Sequence, residues 1–131
     1  MFIDANIFIS AFTKEGKKSQ KCKTLIHRIT KGEQNATTSP MVLDEALYVL
    51  SDISSREAAL KAYRKILSLP NLRILPVDRK CCEIADKFVM EGLEPQDAFH
   101  AAVMKINEIS TICSFDKHFD KIEGIKRQEP K

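Results

Sequence analysis

The chain has 131 residues, a size typical of one domain, and we expect a single domain over residues 1–131. Hydrophobic residues make up 44% and charged residues 30%, which excludes a disordered or collagen-like chain. The apolar stretches are far shorter than the roughly 20 residues that cross a bilayer, and the run from Met1 to Asp4 leaves no room for a signal sequence. We therefore expect a cytoplasmic protein with no membrane association. The four cysteines form no C-x-x-C pair, which favours reduced thiols over a structural zinc site.

The net charge of +3 is unevenly distributed. Between Lys14 and Glu33 there are seven Lys or Arg against two Glu, and the chain from Lys117 onwards adds further basic residues. Such a surface suits a phosphate backbone, although a run of lysines is also typical of a solvated helix.

Short apolar runs alternate with amphipathic segments along the chain. Strands are predicted at residues 1–4, 35–38, 72–77, 111–115 and 124–128, and Pro76 indicates that the third lies at an edge or ends there. Helices are predicted at residues 5–12, 19–31, 40–53, 54–69, 78–92 and 95–106, with a helical turn at 117–122. This alternation predicts an α/β fold, a three-layer α/β/α sandwich with a mostly parallel sheet of four to five short strands.

Helix-capping signals accompany several of these boundaries. Ser39 and Pro40 form an N-cap followed by a proline at the first helical position, and Pro95 opens a later helix in the same way. The S-x-x-E string from Ser54 to Glu57 predicts a capping box at the start of the fourth helix. The resulting hairpin of helices carries apolar stripes that are either core or a surface for a partner.

Four carboxylates are predicted at one edge of the sheet. Asp4 and Asp116 each follow a strand, Asp97 lies in the first turn of the helix opened by Pro95, and Glu45 lies in the second turn of the third helix. The carboxyl ends of parallel strands border one crevice, so the four acids are expected to share a hollow. Each acid alone has a simpler interpretation, as a helix cap or a solvated side chain. Together they favour Mg²⁺ or Mn²⁺, because clustered carboxylates repel one another unless they are protonated or bridged by a cation.

Four strings in order resemble the PIN-domain ribonucleases, and the resemblance covers essentially the whole chain. They are Phe2–Asn6, Asp44–Leu47, Gln96–Ala102 and Ser114–Phe119, with Gly124–Arg127 near the end. No one string is specific, but four at the family's spacing are hard to obtain by chance. The resemblance implies endonucleolytic cleavage of RNA with one or two Mg²⁺ or Mn²⁺ ions, often by the toxin of a VapBC-type toxin–antitoxin pair.

The resemblance also implies roles for particular residues. The catalytic and metal-binding residues would be Asp4, Glu45, Asp97 and Asp116. Asn6 and Ser114 would orient a carboxylate or a bound water, and Asp120 is a weaker additional candidate. His100 is expected to pack or to form hydrogen bonds rather than to act as a general base, and His118 to be a surface group.

The implied partners are an RNA substrate, a cognate antitoxin and a second copy of the chain. Two alternatives stay open: a PIN-like module that binds RNA or a partner without cleavage, and a PIN nuclease of RNA processing that has no antitoxin. A phosphoacceptor signalling domain is disfavoured, because Lys105 is in mid-helix and Lys117 only follows Asp116, so no lysine ends a later strand.

Overall fold

The computed structural model describes residues 1–13 and 15–131 and contains a five-stranded parallel sheet. The strands, in chain order, are β1 (Phe2–Ile3), β2 (Ala36–Thr38), β3 (Leu72–Ile74), β4 (Thr111–Cys113) and β5 (Lys126–Gln128). Their spatial order is β3-β2-β1-β4-β5, and each neighbouring pair is parallel. The predicted α/β fold is therefore confirmed, and β3 lies at an edge as Pro76 indicates.

Six α-helices and one 3-10 helix connect the strands in the described part of the chain. They are α1 (Ala5–Phe12), α2 (Lys17–Thr30), α3 (Pro40–Ile53), α4 (Arg56–Leu67), α5 (Arg79–Met90), α6 (Pro95–Ile106) and the 3-10 helix (Lys117–Lys121). Right-handed crossovers place α1 to α4 on one face of the sheet, because β1, β2 and β3 progress in one direction. The return from β3 to β4 places α5 and α6 on the other face, and the packing of α5 on α6 agrees with this.

The strand order reverses at the β1–β4 pair. Phe2 pairs with Ile112 and Ile3 with Cys113, so that β1 and β4 end side by side. In an open parallel sheet this point of reversal leaves a crevice at the carboxyl ends of the strands. The residues that directly follow β1 and β4 border this crevice.

The helix caps predicted at Asp4 and Ser39 are confirmed, because both side chains accept hydrogen bonds from the first turns of α1 and α3. Asp78 caps α5 in the same way. The capping box predicted at Ser54 is wrong. The hydroxyl of Ser54 donates instead to the carbonyl of Leu50 at 2.6 Å and completes α3. Ser55 is the N-cap of α4, and its Oγ accepts from the backbone N–H of Ala58 at 3.1 Å.

The main hydrophobic core lies between the sheet and its helices. It includes the fully buried Phe2, Phe8 and Phe119. A smaller cluster of Leu50, Ala59 and Ala62 joins α3 to α4. All four cysteines are free thiols. Lys14, which belongs to the predicted basic segment, lies outside the described residues, and none of the described helices is long and apolar enough to span a membrane.

Candidate metal centre

Asp4 lies in the crevice directly after β1 and is 5% exposed. Its Oδ1 accepts a hydrogen bond from the backbone N–H of Ala5 at 2.8 Å, which caps α1. Its Oδ2 accepts from Oγ of Ser114 at 2.5 Å and from Nδ2 of Asn6 at 3.0 Å. Three donors therefore hold this carboxylate in one orientation.

Asn6 and Ser114 link the end of β1 to the end of β4. Nδ2 of Asn6 also donates to Oγ of Ser114 at 3.1 Å, and Oδ1 of Asn6 accepts from the backbone N–H of Phe115 at 3.2 Å. Oγ of Ser114 accepts from the backbone N–H of Asp116 at 3.0 Å. The same network that orients Asp4 thus fixes the turn that carries Asp116.

Asp116 caps the 3-10 helix at the solvent side of the crevice. Its Oδ1 accepts from the backbone N–H of His118 at 2.9 Å, and Nδ1 of the same histidine lies 2.9 Å from that oxygen. Asp97 approaches from the first turn of α6, where a carboxylate is favoured by the helix dipole. Asp97, Asp116 and His118 each offer one ligand atom, and these atoms lie within 4.8 Å of one another.

A second group of possible ligands lies deeper in the crevice. Asp4, Glu45 and His100 offer ligand atoms that also lie within 4.8 Å of one another. The structure therefore brings together all four acids named from the sequence, in an inner group that contains Asp4 and Glu45 and an outer group that contains Asp97 and Asp116.

Crowding and burial raise the pKa of two of these acids, Glu45 and Asp97. Burial, followed by the charges of the other three acids, raises the pKa of Glu45 to about 7. Burial and the charges of Asp116 and Asp4 raise the pKa of Asp97 to about 6. Both shifts express the cost of holding negative charges together in a partly desolvated space. A divalent cation would remove that cost, so the donor set fits a hard cation held by carboxylate oxygens.

His100 occupies the wall of the inner group. It is 2% exposed and lies between the rings of Phe2 and Phe119, with centroid distances of 5.7 and 6.4 Å. Its Nε2 is 3.9 Å from Oδ1 of Asp4, and burial lowers the pKa of His100 although Asp4 acts in the opposite direction. The packing role expected from the sequence agrees with this environment.

Asp120 is directed to a different partner. Its two carboxylate oxygens accept from Nε and Nη2 of Arg127 at 2.9 and 3.3 Å, and the side chain is half exposed. Nη1 of Arg127 donates to the carbonyl of Ser114 at 2.9 Å. Asp120 thus supports the end of β4 through Arg127, and it belongs to neither group of possible ligands.

Two residues at the crevice gain importance from the structure. His118 was expected to be a surface group, and its ring is 67% exposed, but it lies against Asp116. Nζ of Lys18 in α2 lies 4.1 Å from the centre of the Phe115 ring. Phe115 directly precedes Asp116 in the chain, so Lys18 lies near the crevice. For His118, the sequence signal is its D-x-H spacing from Asp116. For Lys18, the sequence shows only that α2 is basic.

The fold and the site define an α/β protein with an acidic cluster at the switch point of a parallel sheet. The PIN domain family matches residues 1–125 of the chain. The chain belongs to the PIN domain family.

Two curated relatives extend over almost the whole chain. Ribonuclease VapC13 of Mycobacterium tuberculosis is 29% identical over 129 residues, which covers 97% of this chain and 98% of that protein. Ribonuclease VapC2 of Methanocaldococcus jannaschii is 26% identical over 139 residues and covers 96% of this chain and 91% of its own length.

Solved structures share the fold. VapC20 of Mycobacterium tuberculosis, described as a sarcin-ricin loop cleaving toxin, has a TM-score of 0.75 at 22% identity and covers 91% of this chain and 92% of its own. VapBC2 of Rickettsia felis, solved with a promoter DNA fragment, has a TM-score of 0.73 at 19% identity and covers 98% and 96% of the two chains.

Proposed function

We propose that this protein is a metal-dependent endoribonuclease that hydrolyses RNA phosphodiester bonds with Mg²⁺ or Mn²⁺, as the toxin of a VapBC-type pair. The observation that carries the proposal is the convergence of four carboxylates at the β1–β4 switch point of a PIN-domain chain. The ribonuclease names of both curated relatives support the reaction class.

Asp4, Glu45, Asp97 and Asp116 would hold one or two ions. A divalent cation at this position supplies Lewis acidity and charge neutralisation to a phosphodiester and lowers the pKa of water. Asp4 contributes a carboxylate that Ser114 and Asn6 already orient, so little reorganisation is needed when the substrate arrives. Asp97 and Glu45 would bind a cation in competition with protons, because their pKa values are raised to about 6 and about 7.

The basic helix α2 supplies a counterpart for the phosphate backbone. Lys18 lies over Phe115 at the rim of the crevice, and further lysines follow along the exposed side of the helix. The ammonium group of Lys18 at the rim would attract the RNA backbone and hold it beside the carboxylates. In this proposal the four acids bind the metal ion, and the lysines of α2 bind the RNA.

The test is an RNA-cleavage assay on the wild type and the Asp97→Asn variant. A labelled pool of structured and single-stranded RNA is incubated with Mg²⁺, with Mn²⁺ or with chelator. We expect metal-dependent cleavage by the wild type and a loss of about 100-fold or more in the variant, because one carboxylate of the site becomes neutral. Asp86→Asn, at an exposed position of α5, is the matched control and should cleave like the wild type.

Two results would count against the proposal. Equal cleavage by wild type and Asp97→Asn would remove Asp97 from the reaction. A folded, metal-binding protein that retains RNA but cuts none of it would favour the non-catalytic binding module. The ends of the fragments add a further check, because hydrolysis of this kind is expected to leave a 5′-phosphate and a 3′-hydroxyl.

An antitoxin and a homodimer belong to the same proposal. Structures similar to this chain include VapBC2 of Rickettsia felis and a toxin-antitoxin complex from Klebsiella pneumoniae. Tyr48 of α3 and Met90 of α5 are largely exposed apolar side chains, and we propose them as candidate contacts for such a partner. A neighbouring gene whose small product co-purifies with this protein and blocks its cleavage would identify the antitoxin. An antitoxin-free nuclease of RNA processing would be cleavage-competent with no such neighbour.

A further inference from the structure

We propose that His118 is a metal ligand, and that its imidazole nitrogen makes the outer group of Asp97, Asp116 and His118 a position that prefers Mn²⁺ to Mg²⁺. The inference rests on the proposed metal-dependent function and adds a ligand that the four-acid pattern does not contain. It assigns His118 a role in metal choice.

The three side chains are close enough to share one ion. Nδ1 of His118 is 2.9 Å from Oδ1 of Asp116, and the ligand atoms of the outer group all lie within 4.8 Å of one another. Metal–ligand bonds of about 2.0 to 2.2 Å place two ligand atoms on opposite sides of an ion about 4.4 Å apart at most. Small side-chain movements therefore suffice to bring all three atoms into coordination.

The backbone delivers the imidazole to this position. The N–H of His118 donates to Oδ1 of Asp116 at 2.9 Å, as part of the cap of the 3-10 helix. This hydrogen bond uses the main chain, so it fixes the Cα of His118 beside the carboxylate while the ring stays free to turn. Since the ring is 67% exposed, it can leave Asp116 and bind an ion without disturbing the core.

The chemistry of the ligand atoms determines which ion the outer group binds more tightly. Mg²⁺ is a hard cation that prefers oxygen ligands and keeps several of its waters. Carboxylates suit both Mg²⁺ and Mn²⁺, but an imidazole nitrogen is a softer donor that the transition-metal ion Mn²⁺ accepts more readily than Mg²⁺ does. Two carboxylates and one imidazole therefore favour Mn²⁺, whereas carboxylates alone would discriminate little. His100 of the inner group is packed between two phenylalanine rings and lacks this freedom.

The test measures metal binding rather than cleavage. Metal-free wild type, His118→Ala and His27→Ala are titrated with Mn²⁺ and with Mg²⁺ by calorimetry, and the Mn²⁺ complexes are examined for nitrogen coupling by pulsed electron paramagnetic resonance. His27 is an exposed histidine of α2 and is the matched control. We expect His118→Ala to raise the Kd for Mn²⁺ by about tenfold or more, with a change of under about threefold for Mg²⁺. The nitrogen coupling should be lost in His118→Ala and kept in His27→Ala.

Each other outcome overturns the inference. Identical Mn²⁺ affinity and nitrogen coupling in wild type and His118→Ala would show that the imidazole is not a ligand. If Mn²⁺ binding persists in that case and is abolished by Asp97→Asn, the proposed metal-dependent function survives and only the role of His118 falls. If the wild type binds neither ion, the inference and the metal-dependent function fall together.

Discussion

Asp4 meets several structural demands with one carboxylate. It ends β1, caps α1 through Oδ1 and accepts two side-chain hydrogen bonds through Oδ2. A substitution there would disturb the fold and the site together. Asp97 is the more informative position for mutagenesis, because it projects from the first turn of a helix that Pro95 already starts.

The Ser114 hydroxyl forms hydrogen bonds with Asp4, Asn6 and the backbone N–H of Asp116, so its removal should affect both stability and the site. Ser114→Ala deletes a hydrogen bond to a buried carboxylate and leaves the N–H of Asp116 without that acceptor. We expect a loss of about 1.5 to 3 kcal/mol in the free energy of unfolding and a weakening of metal binding by about 10- to 100-fold. Denaturant unfolding and calorimetric titration would measure the two effects. Ser68→Ala, an exposed helix-end position, should stay within about 0.5 kcal/mol of the wild type.

The raised pKa of Glu45, about 7 against an ordinary value near 4.5, gives a second prediction. The folded protein binds this proton more tightly than the unfolded chain, so its contribution to stability is complete below about pH 4.5 and is lost as the pH rises through about 7. The metal-free protein should therefore lose stability as the pH rises through that range. Glu45→Gln should flatten this dependence and raise the Tm near pH 8. Thermal unfolding in chelator checks both, with exposed Glu83→Gln as control; equal slopes in all three proteins would contradict the assignment.

The sequence predicted the acids better than their supports. Asp4 and Asp116 are visible because each follows an apolar strand, and Asp97 because Pro95 marks its helix. Asn6 and Ser114 were named only through the family resemblance. Their mutual hydrogen bond joins residues 108 positions apart, and local patterns contain no information about a contact that depends on the pairing of β1 with β4.

Helix α2 brings positive charge to the crevice. Its residue Lys18 contacts the ring of Phe115, whose backbone N–H is bound by Asn6. Phe115 therefore links the basic helix to the hydrogen-bond network that holds Asp4. The remaining lysines of α2 lie on a surface that the sequence identified as basic without indicating which of them faces the site.

Substitution of Lys18 tests whether this lysine contacts RNA at the rim of the crevice. Lys18→Gln should raise the KM for RNA by about three- to tenfold with a smaller change in kcat, and should lower the slope of log binding affinity against log salt by about 1, because one phosphate contact is lost. Lys23→Gln, an exposed lysine of the same helix, is the control. Cleavage kinetics and RNA binding at several salt concentrations measure these effects. Equal losses in the two variants would indicate a general effect of charge instead of a contact at the rim.

Element boundaries followed the sequence where a single local signal dominated. α3 and α6 begin where proline sets the first helical residue. Two adjacent serines compete at the next junction, and Ser54 completes α3 while Ser55 starts α4, which periodicity could not decide. β3 ends at Ile74, before the predicted limit of 77, although the N–H of Leu75 still donates to Thr38. Pro76 then lacks an N–H to continue the ladder.

The mutual repulsion of four carboxylates predicts that a bound divalent cation would stabilise the folded protein. Addition of Mn²⁺ at 100 times its Kd should stabilise the protein by about 2.7 kcal/mol and raise the Tm by several degrees. Asp97→Asn should start from a higher metal-free Tm, because one charge is removed, and should respond less. Calorimetric scans with and without Mn²⁺, against NaCl at equal ionic strength, provide the measurement. An unchanged Tm in the wild type would contradict a metal site formed by these acids.

The position of β1 at the centre of the sheet affects the order in which the enzyme is completed during synthesis. Asp4 is synthesised about 110 residues before its neighbours Ser114 and Asp116. At about 5 to 20 residues per second, this interval lasts roughly 6 to 22 s. A nascent chain consequently carries no assembled acidic cluster until Asp116 has been added. If the cluster cleaves RNA as proposed, a nascent chain would cut no RNA at its own ribosome until β4 has emerged and paired with β1.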